Sequence, residues 1–151
     1  MDNEYCLYNA IKTPDGTILW CEHNHDFKEY TDKVSGEYYL NDGVGYNVRR
    51  SVNTVPYEDL SIYASDDFEK VRTAKFWGSY GKDGKSTKKI LSLQEMEDDH
   101  ISAILNTQYQ IKGSAVEKLF LKEQELRIKN FKSELDDKLI HKENKDNKPK
   151  I

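Results

Sequence analysis

Cysteine is nearly absent from this chain, with Cys6 and Cys21 its only two in 151 residues. Two thiols this far apart exclude a zinc ribbon and a disulfide framework, and read as ordinary thiols of a reducing cytosol. Long apolar runs are missing as well. None approaches the ~20 residues of a membrane span, and no signal peptide opens the chain, so the expectation is a cytoplasmic protein with no membrane partner. Hydrophobic residues are scarce at 36 %, against 33 % charged. The core of a single compact domain with an appendage is therefore expected to be small. Ten tyrosines partly compensate, each burying a large ring with a polar tip. A core this lean also predicts that subunit interfaces add burial, hence a homo-oligomer. An excess of positive charge is lacking too. The net charge of −4 and pI near 5.6 exclude general nucleic-acid binding, while a local pocket for a small anion stays open. Arginine is the scarcest cation, four among 23 basic residues, yet two of the four are adjacent at Arg49-Arg50.

What is present organises into an α+β pattern. Tyr5–Lys12 and Thr17–Cys21 flank Thr13-Pro14-Asp15-Gly16, whose proline and glycine sit where a tight turn wants them. A second hairpin is predicted over Lys28–Thr31 and Glu37–Leu40, bending at Val34-Ser35-Gly36, and a further strand over Tyr46–Asn53. Asp66-Asp67 offers an N-cap for a short helix through Lys75. The glycine-rich run 78–84 follows as a loop, then a short strand at Lys89–Leu91. Ser92-Leu93-Gln94-Glu95 has the form of a capping box, which predicts a second helix to Thr107 with Leu93, Met96, Ile101, Ile104 and Leu105 inward. Val116, Leu119, Phe120, Leu126, Phe131, Leu135 and Leu139 form a narrow stripe over Ser114–Ile140. At ~1.5 Å per residue that helix is about 40 Å long, more than a small domain covers, so its excess packs on another copy or is solvated. The organisation expected is thus an α+β ligand-binding part over 1–112, an oligomerisation helix over 113–140 and a disordered tail over 141–151.

Candidate chemistry centres on the paired arginines. The guanidinium fork matches two oxygens of a phosphate or carboxylate at once. Adjacent residues on a strand face opposite sides, so at most one of Arg49 and Arg50 points into any one pocket face. Phe76-Trp77 offers aromatic faces, one to stack on a base and one to be buried, though both are also what a core would use. In His23-Asn24-His25-Asp26 the two histidines would point the same way on an extended segment and share a metal. No second acidic or histidine cluster supports that, and the preferred reading has Asp26 capping a turn with His25 structural or lining a ligand pocket. Gly84-Lys85-Ser86 fails as a P-loop, because Ser79 stands where that pattern needs glycine. Glu97-x-x-His100 occurs once where a di-iron bundle needs the pair twice. No Gly-x-Ser-x-Gly elbow or activated cysteine is visible.

A longer string of residues carries a family resemblance. Asn9-x-Ile11-Lys12-Thr13-Pro14-Asp15-Gly16-Thr17-Ile18-Leu19 is followed by His23-x-His25-Asp26-Phe27 and by Asp42-Gly43 leading to Arg49-Arg50. Pro56-Tyr57-Glu58-Asp59-Leu60-Ser61, Trp77-Gly78-x-x-Gly81-x-x-Gly84 and Leu93-x-x-Met96-x-x-x-His100-Ile101-x-Ala103-Ile104-Leu105-x-Thr107-Gln108 continue it. Over roughly residues 5–110 the chain resembles a group of small bacteriophage proteins, and within it the first-described family of Thoeris anti-defence sponges. The resemblance implies a non-enzymatic, cofactor-free protein of the host cytoplasm. Such a protein sequesters glycocyclic ADP-ribose, a cyclic ADP-ribose isomer that signals infection. It also implies an oligomer enclosing ligand where subunits meet, with cyclic oligonucleotides held at separate sites. One of Arg49 and Arg50 would meet the pyrophosphate and one of Phe76 and Trp77 the adenine, with Asp26 or the Asp42-Gly43 turn at the ribose and His25 lining the pocket. Two alternatives stay open on the residues alone. One is an enzyme that degrades such a signal through His23, His25 and Asp26, and the other is an interaction module that grips a host factor with the long helix.

Overall fold

The first hairpin forms because its turn satisfies itself. β1 (Cys6–Lys12) and β2 (Ile18–Cys21) pair antiparallel with Lys12 opposite Ile18 and Asn9 opposite Cys21. Between them the Asp15 carboxylate accepts from Thr13 Oγ1 at 3.0 Å, Thr17 N at 2.9 Å and Thr17 Oγ1 at 2.6 Å. The next turn joins the same centre. Tyr30 Oη donates to Asp15 at 2.7 Å and Lys33 N at 3.0 Å. The buried Asp32 in return accepts from Asp15 N at 2.8 Å and from Ser35 N at 2.6 Å. One carboxylate thus locks each hairpin bend to the other.

The hydroxyl of Thr17, then the Lys33 amide and the Tyr30 hydroxyl, hold the Asp15 carboxyl well below the ordinary carboxylate range. A folded-state pKa below the unfolded one means stability that is present above about pH 4 and lost as pH falls. An Asp15→Asn variant is expected to melt lower than wild type by on the order of 5 °C near pH 7. It should also lose less on acidification to about pH 3, which paired thermal melts would read.

The computed structural model describes residues 4–81 and 84–146, with side chains to Lys142. Its second sheet has β3 (Phe27–Thr31) paired with β4 (Tyr38–Asp42), and β4 with β5 (Arg49–Arg50). Only two of the eight residues expected as a strand over 46–53 form one. The reason lies just upstream: Gly43 and Gly45 both take φ of +80°, turning the chain sharply before it can extend. Gly45 instead bridges back to β1, its amide donating to Cys6 O at 2.8 Å. Two short strands not read from the sequence, β6 (Glu58–Asp59) and β7 (Ile62–Tyr63), both pair with β1. Tyr39 lies fully buried with Ile11 and Leu19, and Tyr30 and Tyr57 pack against them. The Tyr39 hydroxyl donates to Val55 O at 2.6 Å, so its polar tip is satisfied inside.

Helix α1 (Phe68–Val71) is four residues long and stops well short of Lys75. Asp67 makes no side-chain cap, and by Phe76 the backbone is already bonded to Leu91 O at 3.1 Å. That bond opens a hairpin of β8 (Trp77–Ser79) with β9 (Lys89–Leu91), so part of the expected glycine loop is strand. Lys82 and Asp83 of that loop lie outside the described residues. After β9, the Ser92 amide and hydroxyl both donate to the Glu95 carboxylate, at 3.0 and 2.8 Å. The box caps a single 3-10 turn, Leu93–Glu95, and the helix proper, α2 (Asp98–Thr107), starts afterwards. Leu93, Met96, Ile101 and Ile104 are buried as expected, and Leu105 is half-buried.

The chain divides into two compact units between Glu97 and Asp98. In the second, α2 is followed by a 3-10 turn, Tyr109–Ile111, and by α3 (Ala115–Asp146). Residues 141–146, read from composition as tail, continue the helix, while 147–151 lie outside the described residues. The fold is α+β, with antiparallel sheets in the N-terminal part, then short helices and a long C-terminal helix. Among the described residues no helix is long and apolar enough to cross a membrane.

Candidate functional site

Strand alternation separates the paired arginines, as their adjacency requires. Arg50 turns inward. Its Nε donates to Asn41 Oδ1 at 3.3 Å and its Nη1 to Asp59 Oδ2 at 3.1 Å. Nη2 donates to Asn9 Oδ1 at 2.6 Å and to Ser61 Oγ at 2.5 Å. The guanidinium carbon stands 5.8 Å from the Tyr57 ring centroid, within cation–π range. Asn9 Nδ2 continues the network to Gly43 O at 2.7 Å, and Asn41 Nδ2 donates to Leu19 O at 2.9 Å. One guanidinium therefore joins β1, β4, β5 and the 58–61 segment. Burial raises the Asp59 carboxyl, but bonds from Ser61 and the charge of Arg50 outweigh it and hold it below its ordinary value.

Arg49 turns outward, its side chain 70 % exposed, with Asp42 Oδ2 3.1 Å from its Nη2. Register fixes its neighbours: Arg49 faces Asp42 across one ladder, and Asp42 faces Phe27 across the next. Cation, carboxylate and an exposed phenyl ring thus line one surface of the sheet, roughly 5 Å apart from strand to strand. Asp26 is at the same end, its carbonyl accepting from Gly43 N at 3.0 Å. His23–Asp26 forms a turn closed by Asp26 N on His23 O at 3.0 Å, and not an extended segment. The Asp26 carboxylate caps it, accepting from Glu22 N at 2.9 Å and Phe27 N at 3.1 Å, with Lys28 Nζ 3.5 Å away. Burial raises this carboxyl as well, and those amides and Lys28 more than offset it. His23 and His25 are both exposed. Among the described residues no group of three histidine, cysteine or acidic side chains is placed to hold a metal.

A half-open cavity of about 460 Å³ lies on the other side of the arginine pair, lined by Glu4, Cys6, Tyr46, Tyr63 and Arg50. Its cation is already neutralised by Asp59, and Glu4 adds a negative charge, so the cavity suits a neutral guest better than a pyrophosphate. Phe76 and Trp77 stand apart from both features, on the β8–β9 hairpin, each half-buried. The two cysteines are buried and free, Cys6 Sγ donating to Tyr8 O and Cys21 Sγ to Asn41 O. Burial pushes both thiols up to about 11. Native protein is expected to resist iodoacetamide at about pH 8 and to take up two alkyl groups once unfolded in urea, read by intact mass.

The residues given no role from the sequence are Asn9, Asn41, Asp59 and Ser61, which hold Arg50, and Phe27, which shares the surface of Arg49. Asn9 and Asn41 left a signal: each is a polar residue in an otherwise inward position of a strand. No family model, curated protein or solved structure matches the chain.

Proposed function

We propose that this chain is a bacteriophage anti-defence sponge of the host cytoplasm, binding a cyclic ADP-ribose isomer and holding it without cleavage. The observation that carries the reading is the surface on which exposed Arg49 and exposed Phe27 stand on either side of Asp42. A pyrophosphate needs a forked cation with donors facing solvent, and a base needs an aromatic face beside it. Arg49 contributes the first. Phe27, on the same surface, contributes the other. His25 and Asp26, at the same end of the sheet as Arg49, are the side chains assigned to the ribose hydroxyls. The motifs over residues 5–110 support the same class of ligand, and cyclic oligonucleotides would occupy separate sites. Sequestration asks for no general base, and tight retention is supplied by enclosing the ligand between subunits of a homo-oligomer.

The test is calorimetric titration with glycocyclic ADP-ribose, followed by heating the complex and mass analysis of the released molecule. Tight binding with intact release is the expected result. An altered product would make the protein an enzyme, and absence of binding would remove the sponge reading.

A further inference from the structure

From Ile128 to Lys142, every side chain of α3 is exposed. The buried residues of this helix, Val116, Leu119, Phe120 and Glu123, all precede that point. The solvent-facing length is not polar all round. Ile128, Phe131, Leu135 and Leu139 are 55, 61, 44 and 58 % exposed, and Leu121, one heptad before Ile128, is 45 % exposed. Their spacing of three, four and four residues keeps them in one stripe, the seam of a helix pair. Where the first turns of α2 lie beside that stripe there is a groove of about 820 Å³, walled by Ser102, Gln124, Ile128, Phe131 and Leu135. A single helix of this length gains little from its own hydrogen bonds in water, and most helical stability comes from packing an apolar face.

The charges beside the stripe say what covers it. Glu125 and Lys132 flank one side, and Arg127 and Glu134 the other. In a parallel pair in register, Arg127 of one protomer would stand against the partner's Lys132, which is repulsive. In an antiparallel pair with Ile128 opposite the partner's Phe131, Glu125 meets the partner's Lys132 on one flank and Arg127 meets the partner's Glu134 on the other. Sliding one heptad either way brings like charges together. One direction sets Lys132 on the partner's Lys132 and Glu134 on the partner's Glu134, and the other sets Glu125 on the partner's Glu125. Arg127 is already engaged by Asp98 at 2.7 Å and Glu123 at 2.8 Å, so the Glu125–Lys132 contact carries most of the choice.

We infer that the exposed face of α3 is a self-association surface, on which a second copy of this chain lays the same helix antiparallel, with Ile128 packed on the partner's Phe131. The arrangement is isologous and closes as a two-fold pair, each contact occurring twice. It rests on the homo-oligomer of the sponge reading, names the face and register that join two subunits, and needs no ligand.

The experiment is sedimentation equilibrium on the full chain without ligand, beside Phe131→Asp, Lys132→Glu and the double variant Glu125→Lys/Lys132→Glu. Phe131 and Lys132 are exposed, so the fold up to the buried start of α3 should be undisturbed in all of them, and any loss of helical circular dichroism should be confined to what the exposed length of α3 contributes. Wild type is expected at an even multiple of the chain mass. Phe131→Asp should halve that mass, Lys132→Glu should raise the dissociation constant of the pair about tenfold, and the double swap should restore it. A monomeric wild type, or an unchanged mass in Phe131→Asp, would overturn the surface. A double swap that fails to restore association would overturn the antiparallel register. Since no nucleotide enters any arm, these results leave the ligand reading to its own titration.

Discussion

Arg50→Ala is expected to lose about 3–5 kcal/mol of folding stability, a large part of what a domain of this size possesses. The side chain is 12 % exposed, and its fork satisfies acceptors on Asn9, Asn41, Ser61 and Asp59 at once. Asn9, Asn41 and Ser61 are themselves buried, so truncation leaves oxygens without donors where water has little access. Arg50→Lys should recover little, because an ammonium is one point of charge and cannot reach four acceptors spread over three segments. Urea denaturation at constant m-value is the measurement. A loss below about 1 kcal/mol for the alanine variant would mean that water enters and replaces the fork.

Arg49→Ala is expected to do the reverse, weakening glycocyclic ADP-ribose binding by roughly 10- to 100-fold while leaving stability nearly unchanged. A charge-assisted hydrogen bond contributes about 1.5–3 kcal/mol, and each 1.4 kcal/mol is a factor of ten in affinity. Against this, the Arg49–Asp42 pair sits on the surface, where such pairs contribute about 0–1 kcal/mol to folding. Asp42→Asn is the companion variant: freeing the guanidinium from its own carboxylate should tighten binding of a dianionic ligand. Calorimetric titration beside a thermal melt separates the two arginines. Unchanged affinity in Arg49→Ala, with a folded protein, would place the anion site elsewhere on the chain.

Residue adjacency alone required the two arginines to part, but not which way each would go. The direction is set by Asn9 and Asn41, whose buried amides need a partner and are 32 residues apart along the chain. The same kind of distance explains the strands that went unread. Glu58–Asp59 and Ile62–Tyr63 have little periodicity of their own, and become strands because β1 presents an unpaired edge to them. The short α1 is a comparable case: its N-terminal acidic pair reads as a cap, yet the backbone at Phe76 is taken by Leu91, and the helix ends early.

Local chemistry was sufficient where partners are close in sequence. The Pro14-Asp15-Gly16 bend, the two hairpins, the Ser92–Glu95 box and the α3 periodicity each depend on residues within about one turn or one strand of each other. Those, with composition, determined the α+β class and the lean core. Only the tertiary structure decided that Arg50 is a strut and Arg49 an exposed cation paired with Asp42, that Phe27 shares its face, and that the α3 stripe splits into a buried half and an exposed half. Each depends on which segments meet across the fold, and a periodic stripe looks the same in sequence whether its own chain covers it or leaves it for another.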